Sequence, residues 1–366
     1  MPKIRILVVD DSVVVRRMVT NVLSSESNLE VVGTAPNGRI ALAKITQVNP
    51  DLIVLDVEMP DMDGLETLAA IRKTYPQLPV IMFSAITERG AVATLDALAL
   101  GANDYVTKPA QLGSKEAASQ YIRNQLIPKI QIFCSPSVVN QTHLVSSSLR
   151  PALSRSHLKS RDWAKYTVAG DRPLVEILAI GVSTGGPNAL ATLLSALPAK
   201  LPIPVVIVQH MPPVFTKRLA ERLTTQCQIR VDEGKTGDIL QAGRAWLAPG
   251  DYHMIVERDG TKVRLRTHQA PPENSCRPAV DVLFRSVAKT YQGGVLAIVL
   301  TGMGQDGLHG CECIREAGGQ VLVQDEASSV VWGMPGIVAN AGLANKVLPL
   351  NQMANDIIRR VKQSVK

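Results

Sequence analysis

Hydrophobic positions in residues 1 to about 110 form short runs separated by amphipathic stretches. Runs rich in Val, Ile and Leu predict buried strands, and apolar positions three or four residues apart predict helices. We predict strands at Ile4–Val9, Val31–Thr34, Leu52–Leu55, Val80–Phe83 and Tyr105–Thr107, and helices at Ser12–Ser24, Gly38–Val48, Gly64–Thr74 and Ala91–Ala99. This alternation predicts an α/β domain with a doubly wound, five-stranded parallel sheet.

The alternation stops after residue 110 and resumes at Leu174. The segment between contains Ser146-Ser147-Ser148, scattered Lys and Arg, and few paired apolar faces, apart from one helix expected around Lys115–Leu126. Such a composition is typical of a linker. We therefore expect a first domain at 1–110, a basic, Ser-rich linker at 111–172 and a second domain at 173–366.

The second domain repeats the alternation of strands and helices over a longer stretch. We predict strands at Leu174–Ile180, Val205–Val208, Ala245–Ala248, Met254–Glu257, Lys262–Arg266, Val295–Leu300 and Gln320–Val323. Two of these strands flank Asp259-Gly260, a pair that favours a tight hairpin turn. The pattern predicts a Rossmann-like α/β domain that contains one antiparallel hairpin.

The composition of the 366 residues, 46% hydrophobic and 19% charged, is typical of a soluble globular protein. No apolar run approaches the roughly 18 residues of a transmembrane helix. No secretory signal follows Lys3 and Arg5. We expect a cytoplasmic protein without membrane insertion. The five cysteines are irregularly spaced, which disfavours a structural metal site or a disulfide scaffold.

The net charge of +7 comes largely from the linker, where residues 111–172 hold nine Lys and Arg against three Asp and Glu. Binding to DNA would need a basic face on a folded module, and no such module is recognisable. We expect no nucleic-acid partner. A DNA-binding regulator stays open as an alternative on charge alone, and a salt-dependent DNA affinity would reveal it.

Charged and hydroxyl side chains follow the predicted strands of the first domain. Asp10 and Asp11 follow the first strand, and Asp56, Ser84 and Lys108 follow three others. The carboxyl ends of parallel strands meet at one edge of the sheet, so these side chains should converge there. Clustered carboxylates suit Mg²⁺, and a metal beside Asp56 would offset phosphoryl charge during formation of an aspartyl phosphate.

Four segments of the first domain carry a family resemblance. They are V-V-D-D-S at Val8–Ser12, L-D-V-E-M-P-D-M-D-G at Leu55–Gly64, F-S-A at Phe83–Ala85 and D-Y-V-T-K-P at Asp104–Pro109. Together they resemble a response-regulator receiver domain over nearly all of residues 1–110. The resemblance implies that Asp56 is the phosphoacceptor. It also implies a Mg²⁺ site formed by Asp10, Asp11, Asp56 and the Glu58 carbonyl. The residues that would respond to the phosphoryl group are Ser84, Tyr105 and Lys108.

The strand that begins the second domain ends in Gly181-Val182-Ser183-Thr184-Gly185-Gly186-Pro187, a G-x-S-x-G pattern between a strand and a helix. Taken alone, this turn fits a nucleophilic Ser183 and a phosphate-binding loop about equally well. The segments that follow two further strands, Val205–Val208 and Val295–Leu300, contain His210 and Asp306. The three side chains can perform acyl transfer, with Ser183 as nucleophile, His210 as base and Asp306 orienting the base.

The chain order of these residues, Ser, His and then Asp, differs from the Ser, Asp and His order of α/β-hydrolases. Met303 lies between two glycines close to Asp306, and its backbone N–H is a candidate oxyanion donor, as is Thr184. His253 would either line the cleft or satisfy a loop carbonyl, and the sequence leaves both readings open.

Six segments of the second domain also carry a resemblance: G-V-S-T-G-G-P at Gly181, V-Q-H-M-P at Val208, A-P-G-D-Y-H-M at Ala248, R-P-A-V-D-V-L-F at Arg277, T-G-M-G-Q-D-G at Thr301 and Q-D-E-A-S-S-V-V-W-G-M-P at Gln324. In this order they resemble the catalytic domain of CheB-type chemotaxis methylesterases. The departures are Ala279, where the family often has Ser, Ile86, where it often has Leu, and the long linker.

This second resemblance implies a hydrolytic domain that cleaves glutamyl γ-methyl esters on methyl-accepting chemoreceptors and that also deamidates receptor glutamines in some members. No cofactor is implied for ester hydrolysis. A chemotaxis histidine kinase would phosphorylate Asp56, after which the receiver would stop occluding the Ser183 cleft. Two further alternatives remain: a receiver joined to a nucleotide-binding module, which nucleotide binding would reveal, and a non-catalytic adaptor, which only an activity assay separates from an enzyme.

Overall fold

The computed structural model describes residues 2–109, 114–134 and 174–363. The chain divides into two compact units, Met1–Arg161 and Asp162–Lys366, which we describe separately. Most of the predicted linker, residues 111–113 and 135–172, lies outside the described residues. None of the described helices is long and apolar enough to cross a membrane.

The first unit is built on one parallel sheet. Its elements are β1 (Ile4–Val9), α1 (Val13–Ser24), β2 (Leu29–Ala35), α2 (Gly38–Val48), β3 (Leu52–Asp56), α3 (Gly64–Thr74), β4 (Val80–Ser84), α4 (Glu88–Ala99), β5 (Asp104–Thr107) and α5 (Lys115–Cys134). The strands pair in the order β2-β1-β3-β4-β5, and every pairing is parallel. The predicted doubly wound, five-stranded sheet is confirmed.

Side-chain caps set where the helices of this unit begin. The Ser12 hydroxyl accepts from the Val15 amide, so Ser12 caps α1 and helical geometry starts at Val13. Thr87 accepts from the Gly90 amide in the same way, which starts α4 at Glu88, three residues before the predicted start. The caps explain why the observed starts of α1 and α4 differ by one and three residues from the predicted starts.

Helix α5 belongs to the packing of the first unit, although residues 111–172 were predicted as linker. Ile122, Leu126 and Ile130 on one face of the helix are buried in the same core as strands β1 and β3. The Lys129 ammonium also pairs with the carboxylate of Asp104, at the start of β5. The helix extends well beyond the predicted Lys115–Leu126. Residues 115–134 therefore pack as part of the first unit.

The second unit contains a larger parallel sheet and a separate hairpin. Its elements are β6 (Ile177–Val182), α6 (Gly186–Ser195), β7 (Val205–Gln209), α7 (Phe215–Gln226), β8 (Arg230–Glu233), β9 (Arg244–Leu247), β10 (His253–Asp259), β11 (Lys262–His268), α8 (Val280–Tyr291), β12 (Val295–Val299), α9 (Leu308–Glu316), β13 (Gln320–Gln324), α10 (Met334–Asn340), β14 (Lys346–Leu348) and α11 (Leu350–Gln363). The larger sheet has seven strands in the order β14-β13-β12-β6-β7-β9-β8, all in parallel pairs.

The predicted hairpin is present as the antiparallel pair β10 and β11, which turns between Asp259 and Lys262. Gly260 in that turn has a φ of +59°, a conformation that glycine adopts without strain. Strands β8 and β14 were not predicted. Both are short and lie at the two edges of the larger sheet, where few of their side chains are buried. Because few of their side chains face the core, these two segments lack the apolar pattern that predicts a strand.

Strand β6 occupies the middle of the larger sheet, and the chain adds strands on both of its sides. All six of its residues are buried. In open α/β sheets, the point where strand order reverses leaves a crevice at the carboxyl ends of the strands. The residues that follow β6, β7 and β12 therefore face one crevice.

Candidate active site

The carboxyl edge of the first sheet holds two buried carboxylates and one lysine. Asp10 and Asp56 are 1% and 2% exposed. The Lys108 ammonium lies 2.8 Å from Asp10 Oδ2 and 2.8 Å from Asp56 Oδ2. One positive charge therefore faces two negative charges, which leaves the site with an excess of negative charge.

The excess of negative charge makes Asp56 harder to deprotonate. Burial and the neighbouring Asp10 carboxylate raise the pKa of Asp56 to about 6, although Lys108 acts in the opposite direction. Burial lowers the pKa of Lys108, but its hydrogen bonds to both carboxylates outweigh this and raise it. The pair of carboxylates thus carries an electrostatic cost that a further cation would relieve.

The donor set at this edge fits the predicted Mg²⁺. Carboxylate oxygens of Asp10, Asp11 and Asp56 lie within 4.8 Å of one another, and Asp11 is exposed to solvent. Oxygen donors with water access are the coordination that Mg²⁺ prefers. The Glu58 amide donates to Asp56 Oδ1 at 3.3 Å, which holds the Glu58 backbone beside the cluster.

The three predicted readout residues lie on β4, on β5 and just after β5. Ser84 is buried, and its hydroxyl donates to the Gly90 carbonyl at 3.2 Å. Its own carbonyl accepts from the Lys108 amide at 2.7 Å, which ties the two strand ends together. Tyr105 is half-buried, and burial raises the pKa of its phenol well above the usual value, so the ring remains neutral.

In the second unit the structure brings His210 and Asp306 into direct contact. His210 Nε2 lies 2.8 Å from Asp306 Oδ2, and the Asp306 side chain is 2% exposed. Asp306 accepts four further hydrogen bonds, from the Val280 amide at 2.6 Å, the Asp281 and Gly307 amides at 3.0 Å, and Asn274 Nδ2 at 3.0 Å. The carboxylate is therefore fully hydrogen-bonded and fixed in orientation.

The two partners shift each other's protonation. Burial alone lowers the pKa of His210, but the hydrogen bonds to Asp306 and to the Cys276 thiol outweigh it and raise the pKa. Burial raises the pKa of Asp306, and the contact with His210 together with backbone amides lowers it below its usual value. Asp306 is thus ionised, and it stabilises the imidazolium form of His210.

Ser183 follows β6, at the strand end next to the one that carries His210. Its amide donates to the Thr301 carbonyl at 3.0 Å, and its carbonyl accepts from Gln209 Nε2 at 2.9 Å. The His210 amide donates to the Val182 carbonyl at 3.2 Å. Ser183 and His210 are therefore on adjacent strand ends, joined by backbone hydrogen bonds. Within the described part of the chain, the Ser183 hydroxyl has no hydrogen-bond partner.

The glycines around Ser183 are required by close packing. A Cβ at Gly186 would lie 1.9 Å from Gln209 Oε1, and one at Gly302 would lie 2.8 Å from Ser183 Cβ. Gly185 has a φ of +77°, which allows the sharp turn from β6 into α6. These constraints fix the backbone on both sides of Ser183.

Two backbone amides close to Ser183 in the chain or through Gly302 donate to no described group. Neither the Thr184 nor the Met303 amide donates a hydrogen bond within residues 2–109, 114–134 and 174–363. The Thr184 carbonyl accepts from Thr301 Oγ1 at 2.9 Å, which fixes the orientation of the neighbouring peptides. Gly302 packs against Ser183, and Met303 follows Gly302 in the chain.

Several supporting residues were not predicted. Gln209 bridges the carbonyls of Ser183 and His210, and Thr301 bridges Thr184 and Val331. Asn274 contacts Asp306 from a tight turn in which it has a φ of +52°. In the sequence, Gln209 directly precedes His210, and Thr301 directly follows the predicted strand Val295–Leu300. These positions at strand ends were the feature that could have identified both residues. Asn274 had no such signal.

His253, which the sequence left open, makes two structural contacts. Its Nε2 donates to the Pro271 carbonyl at 3.1 Å, and its Nδ1 accepts from the Ala279 amide at 3.3 Å. The side chain is 1% exposed. With both nitrogens hydrogen-bonded to backbone groups, His253 ties two loops together.

Comparisons with known proteins agree with both halves of this description. A family model for the response regulator receiver domain matches residues 6–118, and one for CheB methylesterase matches residues 178–357. The chain is 65% identical, over 99% of its length and 100% of the relative, to the protein-glutamate methylesterase/protein-glutamine glutaminase of Trichodesmium erythraeum (strain IMS101). It is 51% identical to the protein of the same name from Nocardioides sp. (strain ATCC BAA-499 / JS614), over 99% and 96% of the two chains.

A solved structure supports the second unit separately. The crystal structure of the Thermotoga maritima CheB methylesterase catalytic domain matches with a TM-score of 0.50 and 38% sequence identity, over 50% of this chain and 97% of that one. Fold and family models together define a response regulator with a receiver domain followed by a catalytic domain. The chain belongs to the protein-glutamate methylesterase/protein-glutamine glutaminase family, the CheB family.

Proposed function

We propose that this protein is a phosphorylation-controlled serine hydrolase of chemotaxis adaptation. Its substrates are glutamyl γ-methyl esters on methyl-accepting chemoreceptors, from which it releases methanol. The observation that carries this proposal is the His210–Asp306 pair beside Ser183, at the strand-order reversal of the seven-stranded sheet. The names of the relatives specify the ester chemistry.

Ser183 Oγ attacks the ester carbonyl and gives its proton to His210. Because Nε2 of His210 faces Asp306, Nδ1 is the ring nitrogen that accepts this proton. Asp306 stabilises the resulting imidazolium, which then protonates the departing methoxide to give methanol. Water, activated by the neutral His210, cleaves the acyl-enzyme and leaves a glutamate carboxylate on the receptor.

The Thr184 and Met303 amides stabilise the negative charge on the tetrahedral intermediate. Each is close to Ser183 and has an unused N–H within the described residues. Donors oriented before the reaction begins cost little reorganisation, and one such donor typically contributes about 3–4 kcal/mol to catalysis.

The same residues would also deamidate receptor glutamines. Attack of Ser183 on a side-chain amide forms the same acyl-enzyme, and ammonia leaves in place of methanol. The amide is a poorer electrophile, so this reaction depends more strongly on protonation of the leaving group by His210. The relatives' second name, protein-glutamine glutaminase, supports this activity.

The receiver domain controls the hydrolase, and both act in the cytoplasm. Asp56 accepts a phosphoryl group from a chemotaxis histidine kinase, and Lys108, Ser84 and Tyr105 respond to it. Asp10, Asp11, Asp56 and the Glu58 carbonyl would hold Mg²⁺, whose charge would offset that of the phosphoryl oxygens. A phosphorylated receiver then favours the state in which the Ser183 cleft is open, by a coupling of about 1–3 kcal/mol.

The test is methanol release from methylated chemoreceptor membranes, with and without a small acyl phosphate and Mg²⁺. We expect stimulated release from the native chain and none from Ser183→Ala, which should still accept a phosphoryl group at Asp56. Ser195→Ala, a serine change at the exposed end of α6, is the matched control and should remain active. Equal release from Ser183→Ala and the native chain would refute the proposal.

A further inference from the structure

A third metal-ligating side chain lies beside the His210–Asp306 pair. Cys276 is a free thiol with no part in the mechanism above. Its sulfur, one ring nitrogen of His210 and one carboxylate oxygen of Asp306 lie within 4.8 Å of one another. Cys276 stands in the loop before α8, whereas the other two follow β7 and β12, so only the fold brings the three together.

These three groups are the donor types that Zn²⁺ binds in proteins. Tetrahedral Zn²⁺ forms bonds of about 2.3 Å to sulfur and about 2.0 Å to nitrogen or oxygen, which places its donors roughly 3.3–3.6 Å apart. His210 Nε2 and Asp306 Oδ2 are 2.8 Å apart. They need to separate by only about 0.5 Å if a cation replaces the proton between them.

The surroundings already orient the ligands. Asp306 is fixed by its four other hydrogen bonds. The Cys276 backbone pairs with that of Glu273 through hydrogen bonds of 2.9 and 3.1 Å, and Glu273 binds Arg285 through both carboxylate oxygens, at 2.5 and 2.7 Å. Outer contacts of this kind raise metal affinity because they reduce the reorganisation that binding requires. His210 and Cys276 are partly exposed, so a cation and a water ligand can reach them.

We propose that His210, Cys276 and Asp306 form a binding site for Zn²⁺ or a similar borderline-soft divalent cation, and that its occupation inhibits ester hydrolysis. The cation accepts lone pairs from the Cys276 thiolate, His210 Nε2 and Asp306 Oδ2. The thiol proton passes to solvent, the single ring proton of neutral His210 moves from Nε2 to Nδ1, and no group is oxidised or reduced. A neutral imidazole bound through Nε2 carries its proton on Nδ1, so it cannot accept the proton of Ser183.

Binding is tested with Co²⁺, which replaces Zn²⁺ in such sites and is coloured. Titration of the full chain should produce a thiolate-to-cobalt charge-transfer band that saturates at one ion per chain and disappears when Zn²⁺ is added. Cys276→Ala and the conservative Cys276→Ser should lose this band. Cys227→Ala, at a half-buried thiol outside the cluster, is the matched control and should retain it. A band that survives in both Cys276 variants, or no band in the native chain, would overturn the inference.

Inhibition is tested separately, because it rests on the proposed function whereas binding does not. Zn²⁺ at about ten times its dissociation constant should reduce methanol release about tenfold, since the fraction of free enzyme falls accordingly. Cys276→Ala should need at least about tenfold more Zn²⁺ for the same effect. Mg²⁺ at equal concentration should not inhibit, because it prefers oxygen ligands.

The two sets of results distinguish the failure of each idea. A cobalt–thiolate band in a native chain that releases no methanol would uphold the metal site and overturn the proposed function. Methanol release that Zn²⁺ inhibits equally in the native chain and in both Cys276 variants would overturn the metal site and leave the hydrolase standing.

Discussion

Replacement of Asp306 by asparagine tests the triad through its hydrogen bonds. The carboxylate accepts from His210 and Val280 at Oδ2, and from Asn274, Asp281 and Gly307 at Oδ1. An asparagine side chain offers one acceptor oxygen and one NH₂ group. Placed at the Oδ1 position, the NH₂ would face three donors, whereas at the Oδ2 position it faces only two.

The second orientation costs less, because His210 can adapt to it. If its proton moves to Nδ1, Nε2 becomes an acceptor for the new NH₂ group, and only the Val280 amide is left without a partner. One unpaired buried donor costs about 1–3 kcal/mol of stability. The Nδ1 proton, however, now points toward Ser183, so His210 can no longer act as its base. A wrong tautomer of this kind lowers kcat by about 10⁴ in the serine-protease triad, and we expect a similar loss here.

The assay is the kcat of methanol release from methylated receptor membranes, together with urea unfolding followed by tryptophan fluorescence. Asp306→Asn should lower kcat far more than it changes KM, because the lost contact stabilises the transition state. Asp232→Asn is the matched control, since Asp232 on edge strand β8 pairs with Arg230 of the same strand and with Arg244 of β9. The control should keep its kcat and lose less than about 1 kcal/mol. A loss of kcat below tenfold in Asp306→Asn would refute the assignment of Asp306.

Three further predictions follow from the same contacts. Asp56→Asn should keep basal methanol release and lose its stimulation by an acyl phosphate, and equal stimulation of the variant would contradict the role of Asp56. The pH profile of kcat/KM should rise at a pH above about 6.5, the pKa of an ordinary histidine. The reason is that Asp306 raises the pKa of His210 and only neutral His210 is a base. A rise centred below this pH would count against the role of His210. Gly186→Ala should destabilise the second unit by about 1–3 kcal/mol, because its Cβ would displace the buried Gln209 amide; unfolding identical to that of Ser195→Ala would show that this packing is not tight.

The positions of Ser183, His210 and Asp306 could be predicted because parallel strands end at a common edge. Ser183, His210 and Asp306 each follow an apolar strand, and the structure confirms those strands as β6, β7 and β12. The hydrogen bond between His210 and Asp306 agrees with the predicted pairing. The roles of Met303 and Thr184 stay predictions, although their unused amides favour them.

The supporting residues could not be predicted because no periodic pattern marks them. Asn274 and Cys276 reach the site from a turn whose two central residues have positive φ values, a conformation set by backbone pairing between Glu273 and Cys276. The full length of α5 was also missed, since Pro128 lies inside it and such a residue normally ends or bends a helix. Packing against the first core compensates for that local preference.

The sequence by itself determined the two α/β domains, the positions of most strands and helices, and the identity of the reactive groups at strand ends. These features depend on local patterns: apolar runs, capping residues and glycines at sharp turns. Only the tertiary structure decided that β6 lies at the centre of its sheet, that five donors converge on Asp306 and that Cys276 stands beside His210. Strand order and long-range contacts arise from the packing of segments far apart in the chain, and no local pattern encodes which segments meet.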